Sequence, residues 1–151
     1  MLLKYYPNGT LKDAIDSEDK QDKQEFLQVW AKQLASALLA LHGVGITHLD
    51  IKPANVVIDA TNQAIFIDIG TGYTYELLAP EIRQNTMPHR LPFEKRRQTD
   101  LWAFGMLLIE IAKLNENSHI GETLQNLGKQ LAHDDPKQRP SLSEITHSLD
   151  I

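Results

Sequence analysis

The chain has 151 residues, 42% of them hydrophobic and 23% charged, which is typical of a globular protein long enough to build one packed core. Its formal net charge of -5 argues against a general nucleic-acid binder or a protein that binds anionic membrane surfaces. The chain contains no cysteine, which excludes disulfides and thiolate zinc sites.

Targeting signals are not evident in the sequence. Residues 1–7 lack the apolar core and small-residue cleavage site of a signal peptide. The longest apolar run, residues 101–109, has about half the length that a membrane-spanning helix requires. We therefore expect one domain over residues 1–151, located in the cytoplasm, with neither a membrane nor nucleic acid as a partner.

The first third of the chain predicts a turn at residues 7–9, a short helix over 11–15 and one longer amphipathic helix. Apolar side chains recur in the longer helix at steps of three and four residues, which places them on one face: Phe26, Trp30, Leu34, Ala37, Leu38 and Leu41. Asp22 and Glu25 suit a capping box at its start. Residues 43–45, Gly-Val-Gly, predict a left-handed C-cap.

Further along, two short apolar runs, residues 56–59 and 64–67, flank Thr61-Asn62 and predict a β-hairpin. Residues 101–114 are apolar nearly all round, which predicts a buried central helix. Ser141 and Glu144 form the capping box of a last helix. The predicted fold class is therefore mainly α, a helical bundle with a small β-hairpin at one end.

Residues 48–55, His-Leu-Asp-Ile-Lys-Pro-Ala-Asn, and residues 68–70, Asp-Ile-Gly, resemble the catalytic loop and the metal-binding turn of protein kinases. Three later segments follow in the family's order: Leu78-Ala79-Pro80-Glu81, residues 100–105, and residues 134–140. Lys52-Pro53 is similar to the serine/threonine branch. The resemblance covers essentially the whole chain and implies the large C-terminal lobe of a kinase.

The resemblance assigns roles to individual residues. It implies that Asp50 orients or deprotonates a substrate hydroxyl and that Lys52 contacts the transferred phosphate. Asn55 and Asp68 would hold Mg²⁺ through oxygen ligands, and Val57 would form the floor beneath the adenine of ATP. ATP and Mg²⁺ are therefore the implied ligands.

Other family residues imply structural roles. The resemblance predicts an ion pair between Glu81 and Arg139 and hydrogen bonds from the catalytic-loop backbone to Asp100. His48 is interpreted as an architectural residue rather than a general base.

Several features depart from the family pattern. The glycine-rich loop, the strand lysine and its glutamate partner do not occur, and the residues before His48 are too few for a small N-terminal lobe. Leu49 replaces the arginine that precedes the catalytic aspartate, and Ile69 replaces the phenylalanine of Asp-Phe-Gly. Residues 70–79 are short for an activation segment, and their hydroxyl residues are interpreted as turn residues rather than phosphorylation sites: Thr71, Tyr73, Thr74 and Tyr75.

Two more departures concern partner contacts. The stretch between the central helix and Arg139 is short, so we expect a substrate-docking helix to be missing there. Residues 89–97 are strongly basic and predict a solvated loop, with contact to an acidic partner or a phosphate group as the alternative. The surface that would face a small lobe, which includes Val57 and Ile69, is expected to be apolar and partly open. A chain bearing a small lobe, or a second copy of this chain, would cover it.

Two hypotheses follow. In the first, the chain is a serine/threonine-kinase-like phosphotransferase lobe that transfers the ATP γ-phosphate to a hydroxyl only when a small lobe is supplied. In the second, it is a catalytically inactive pseudokinase remnant that serves as a protein-interaction scaffold. An unrelated helical protein is contradicted by the order of the motifs.

Overall fold

The computed structural model describes residues 5–85 and 87–150, and the chain there is mainly helical with one two-stranded sheet. The elements run in the order α1 (Leu11–Asp16), α2 (Leu27–Gly43), β1 (Val56–Ile58), β2 (Ala64–Phe66), α3 (Phe93–Ala112), α4 (His119–Leu131) and α5 (Leu142–Ser148). Short 3₁₀ turns connect several of them. The predicted fold class is confirmed.

Helix α1 begins with a capping box that the sequence analysis did not predict. The Thr10 hydroxyl accepts from the Asp13 backbone N–H, and the Asp13 carboxylate accepts from the Thr10 N–H. The box predicted at Asp22 and Glu25 is wrong, because residues 21–26 form a 3₁₀ turn without a side-chain cap. An N-cap needs an extended backbone. Lys20 and Phe26, which precede the 3₁₀ turn and α2, both have helical dihedral angles.

Helix α2 places its predicted apolar face against the core, where Trp30, Leu34 and Leu38 are almost fully buried. The helix ends as predicted in a left-handed C-cap, with Gly45 at φ +78°. The Ile46 N–H closes this turn on the Leu41 carbonyl at 2.9 Å. The end of α2 therefore leads directly into the segment that carries His48 and Asp50.

The predicted hairpin is confirmed as an antiparallel pair in which Val57 faces Ile65. Its turn is fixed to α2, because the Trp30 indole N–H donates to the Asn62 carbonyl at 2.7 Å. On the other side, Val57 forms an isolated bridge with Thr10. The sheet is thereby held between α1 and α2 at one end of the helical core.

Helix α3 is the predicted central helix, but it begins at Phe93 rather than Leu101. The prediction of a solvated basic loop over residues 89–97 is therefore wrong for its second half. Arg96 donates to the Thr47 hydroxyl at 2.8 Å and to the Leu91 carbonyl, and Arg97 pairs with Glu94. Arg96 and Arg97 therefore lie in the first turns of α3, where their side chains contact other residues of the chain.

Helix α4, which the sequence analysis did not predict, packs closely along α3. A Cβ atom built on Gly105 would lie 2.6 Å from the Gly128 carbonyl oxygen, and one on Gly128 would lie equally close to the Gly105 oxygen. The two helices can approach this closely because both positions lack a side chain. Helix α4 is the α-helix that the structure describes between α3 and Arg139, and the absence of a substrate-docking helix from this stretch stays a prediction.

Helix α5 completes the bundle and begins with the predicted capping box of Ser141 and Glu144. It packs against α2 as part of one buried hydrophobic cluster to which all five helices and both strands contribute. In the described residues, no helix combines the length and apolar character needed to cross a membrane.

Candidate functional site

Asp100 on α3 organises the loop that leads into the candidate site. Its buried carboxylate accepts hydrogen bonds from the backbone N–H groups of His48 and Leu49, both at 2.8 Å. It also lies 2.8 Å from Nε2 of His42 on α2. The predicted contact between Asp100 and the catalytic-loop backbone is confirmed. Asp100 thereby holds Leu49 in a left-handed conformation, at φ +68°, one residue before Asp50.

His48 lies inside the protein with no exposed surface. Its Nδ1 atom accepts from the Asp50 backbone N–H at 3.2 Å, and its ring meets the Phe66 ring edge-on at 5.1 Å between centroids. Burial lowers the pKa of His48 below its ordinary value, so the ring is neutral at pH 7. This environment agrees with an architectural role for His48.

We expect His48 to make stability depend on pH. The unfolded chain binds a proton at His48 below about pH 6.5, while the folded chain does so only at lower pH. The free energy of unfolding should therefore decrease as the pH falls below about 6.5. Urea unfolding of the parent and His48→Gln across this range measures the effect, and the variant should show a shallower decrease. Equal slopes would contradict the assignment.

The structure brings together Asp50, Lys52 and Asn55, three of the predicted site residues. The Asn55 amide donates to the Asp50 carbonyl at 2.8 Å and to its carboxylate oxygen Oδ2 at 3.0 Å. Lys52 Nζ lies 3.6 Å from the same carboxylate oxygen. The Asp50 carboxylate is therefore oriented by an amide on one side and a cation on the other.

Thr74 completes this group, and sequence reasoning missed it as a site residue. Its hydroxyl donates to Asp50 Oδ1 at 2.7 Å and accepts from Lys52 Nζ at 2.9 Å. The sequence analysis interpreted Thr74 as a turn residue, and only its position four residues before Leu78-Ala79-Pro80-Glu81 singles it out. Thr74 ties the short segment after Asp68 to the catalytic loop.

Asn55 and Asp68 lie on neighbouring segments, because the Ile67 N–H donates to the Asn55 carbonyl at 2.9 Å. Both N–H bonds of the Asn55 amide point to Asp50, which leaves its oxygen as the atom for a metal. Asp68 is exposed, so its carboxylate is accessible. Its backbone is in the left-handed region, at φ +57°. An amide oxygen and a carboxylate fit Mg²⁺, which takes one or two protein ligands together with substrate phosphates.

The described residues contain no larger set of metal-binding side chains. Across residues 5–85 and 87–150, no group of three or more His, Asp or Glu side chains is placed to hold a metal ion.

The surface expected to face a small lobe is only partly open. Val57 is 5% exposed, because it pairs across the hairpin and bridges to Thr10, so the expectation of an open Val57 is wrong. Ile69 is 38% exposed, as expected. It borders an apolar groove of about 500 Å³ between α2 and β2, which Leu41, Val44 and Ile65 also line.

The segment after Thr74 is fixed at its far end by the predicted ion pair, which is confirmed. Arg139 donates from its two terminal nitrogens to the two carboxylate oxygens of Glu81, at 2.7 and 2.9 Å. The Arg139 side chain is fully buried. Residues 68–81 are therefore held at both ends, which defines the position of Thr74 between them.

Comparison with known proteins agrees with this geometry. The family model described as "Protein kinase domain" matches residues 1–116, about three quarters of the chain. This chain belongs to the protein kinase family. The kinase resemblance drawn from residues 48–55 and 68–70 is thereby confirmed.

Individual relatives are also kinases. The chain is 32% identical to maternal embryonic leucine zipper kinase of Danio rerio over 123 residues, which is 72% of this chain and 17% of that protein. It is 26% identical to mitogen-activated protein kinase kinase kinase 17 of Arabidopsis thaliana, over 74% of this chain and 31% of the relative. For citron rho-interacting kinase of Rattus norvegicus the identity is 24%, over 99% of this chain and 8% of the relative. The chain spans less than a third of the length of each of these relatives.

Proposed function

We propose that this chain is the catalytic lobe of a serine/threonine-kinase-like phosphotransferase, which transfers the ATP γ-phosphate to a hydroxyl when a small lobe is supplied. The observation that supports it best is the connected network of Asp50, Lys52, Asn55 and Thr74. Another chain, or another part of a longer polypeptide, would provide the small lobe. The proposal includes a cytoplasmic location, where ATP is available.

In this mechanism Asp50 orients the substrate hydroxyl and accepts its proton. Its carboxylate is held by Asn55 and Thr74, which reduces the reorganisation required when the substrate binds. Lys52 places a positive charge beside Asp50, where it stabilises the negative charge of the transferred group. Asn55 and Asp68 would hold Mg²⁺, which neutralises phosphate charge when it is bound with ATP. Val57 is 5% exposed, so only a small part of its side chain would contact the adenine from below.

A pseudokinase scaffold is the second candidate function. The buried Leu49 supports it, because an apolar side chain occupies the position where the family resemblance expects an arginine. A scaffold would use the open groove beside Ile69 as an interaction surface. We propose that a chain bearing a small lobe, or a second copy of this chain, covers this groove in either case.

Thermal unfolding with and without MgATP tests the proposed function. Ligand at about 100 times its dissociation constant should stabilise the folded chain by about 2.7 kcal/mol, which raises the Tm by several degrees. Asp68→Ala should remove the shift because it removes a metal ligand. Asp134→Ala, which changes an exposed aspartate in the loop before Arg139, serves as the matched control and should keep the shift.

A well-folded chain whose Tm does not respond to MgATP, or responds equally in the Asp68→Ala variant, would contradict nucleotide binding by this lobe alone. That result leaves the scaffold, or a lobe that binds MgATP only together with its small lobe, and directs the search to partners.

A further inference from the structure

Two segments of the chain carry equal and opposite charges that the proposed function does not use. Residues 13–25, the acidic segment, contain six Asp or Glu and two Lys, which gives a net charge of -4. Residues 83–97, the basic segment, contain five Lys or Arg and one Glu, which gives +4 with His counted as neutral. The basic segment therefore stands out in a chain whose net charge is -5.

Helix α2 separates the two segments. The acidic segment ends in the 3₁₀ turn that leads directly into α2 at Leu27. The basic segment contacts the other end of α2, because the Phe93 ring meets the His42 ring edge-on at 6.1 Å between centroids. The 17 residues of α2 span about 25 Å. This length exceeds the Debye length of about 8 Å at physiological salt, so the two segments do not neutralise each other within one chain.

Each segment has exposed charges that are unpaired within residues 5–85 and 87–150. Glu18 and Glu25 in the acidic segment are exposed, and neither side chain forms an ion pair or hydrogen bond there. The same holds for Arg90 and Lys95 in the basic segment. These four side chains are therefore free to pair with charges on another molecule.

The exposed side of α2 between the two segments is uncharged. This α2 face consists of small and apolar residues: Val29, Ser36, Leu39, Ala40 and Gly43. Val29 and Leu39 are 44% and 40% exposed. Lys32 is the one Lys, Arg, Asp or Glu residue in α2, and it is paired with Asp150 at 3.0 Å. The α2 face is thus a neutral strip with an acidic segment at one end and a basic segment at the other.

A second copy of this chain is complementary to the strip. When two copies place their α2 faces together in antiparallel orientation, the acidic segment of each lies against the basic segment of the other. One two-fold axis through the middle of α2 produces both contacts, as in an isologous dimer. The uncharged α2 face keeps like charges apart where the two chains touch. Ala40 also lines the groove beside Ile69, so the second copy would cover a part of that groove.

We propose that the α2 face is the interface of a symmetric, antiparallel dimer in which residues 13–25 of one copy contact residues 83–97 of the other. The charge pattern favours a second copy over a small-lobe chain at this face, because a second copy necessarily carries both segments. The inference does not rest on the proposed phosphotransfer function, since association is measured without nucleotide.

Two charge-reversal variants of the full chain, studied by sedimentation equilibrium, test the dimer. One variant combines Arg90→Glu with Lys95→Glu, and the other combines Glu18→Lys with Glu25→Lys. Either variant alone places like charges opposite each other, so we expect its dimer to be at least about tenfold weaker than that of the parent chain. An equimolar mixture of the two should restore association, because every reversed charge then faces its opposite.

A matched control separates this pairing from a change in net charge. Glu122→Lys with Asp134→Lys changes two exposed acids outside the α2 face and both segments, by the same total charge as Glu18→Lys with Glu25→Lys. The control variant should dimerise like the parent chain. Leu39→Asp should weaken the dimer while the circular dichroism spectrum stays unchanged, because Leu39 is an exposed residue of the α2 face.

Two results would overturn the proposal. The first is a parent chain that stays monomeric at about 100 µM, which would leave the α2 face to a small-lobe chain or another partner. The second is a mixture of the two charge-reversal variants that associates no better than either variant alone.

Discussion

Asp100→Ala is expected to lower the free energy of unfolding by about 3 to 5 kcal/mol. The substitution removes the acceptor for the buried N–H groups of His48 and Leu49 and for the ring of His42. Each buried donor left without a partner costs about 1 to 3 kcal/mol. Leu49 also keeps a left-handed backbone, which costs about 1 to 2 kcal/mol and is then no longer held by Asp100. The loss is a large part of the stability of an ordinary domain.

Urea unfolding followed by circular dichroism measures this effect. Asp100→Asn should have a smaller effect, because the amide keeps one acceptor oxygen of the two that Asp100 uses. Asp134→Ala, at an exposed position, should change the free energy of unfolding by less than about 0.5 kcal/mol. A loss below about 1 kcal/mol for Asp100→Ala would show that the loop does not depend on this carboxylate.

Glu81→Ala is expected to lower the free energy of unfolding by about 3 kcal/mol, because it leaves the Arg139 guanidinium buried without its anion. Arg139 would keep its bonds to the His133 and Gln98 carbonyls, which offset a part of the loss. The segment that holds Thr74 should also loosen, since Glu81 fixes its far end. We expect faster amide hydrogen exchange around residues 74–81 as a second readout.

A double-mutant cycle with Glu81→Ala and Arg139→Met measures the coupling. The double variant should lose less stability than the sum of the two single variants, because it leaves no buried charge unpaired. Glu94 and Arg97 on α3 form an exposed pair of the same residue types, so Glu94→Ala should cost less than about 1 kcal/mol. Strict additivity in the Glu81 cycle would contradict a coupled ion pair.

Local patterns in the sequence predicted most elements correctly. The apolar spacing of α2, the hairpin around Asn62 and the Ser141 capping box each depend on residues that are close in sequence. The predicted box at Asp22 and Glu25 was wrong because the same spacing occurs within a 3₁₀ turn, where the backbone is not extended at the required position. Residue spacing alone does not distinguish these two conformations.

Helix α4 shows why other elements were missed. Its buried side chains, Leu124, Leu127 and Leu131, do have helical spacing, but the helix also contains two glycines, Gly121 and Gly128, which disfavour a helix in isolation. In the folded chain the backbones of Gly128 and Gly105 are in direct contact, because neither residue has a side chain. Gly128 therefore lowers the helix propensity of α4 but permits its close packing against α3. Tertiary contact reverses the local preference.

The sequence by itself determined the family and the order of its motifs, because the chemical types of Asp50, Lys52, Asn55 and Asp68 and their spacing are properties of the chain. Only the tertiary structure decided that Thr74 joins Asp50 and Lys52 and that Val57 is buried. These features depend on contacts between residues far apart in sequence. Such contacts form only when the packed helices bring distant segments together and the gain in packing exceeds the entropy lost in closing the intervening loops.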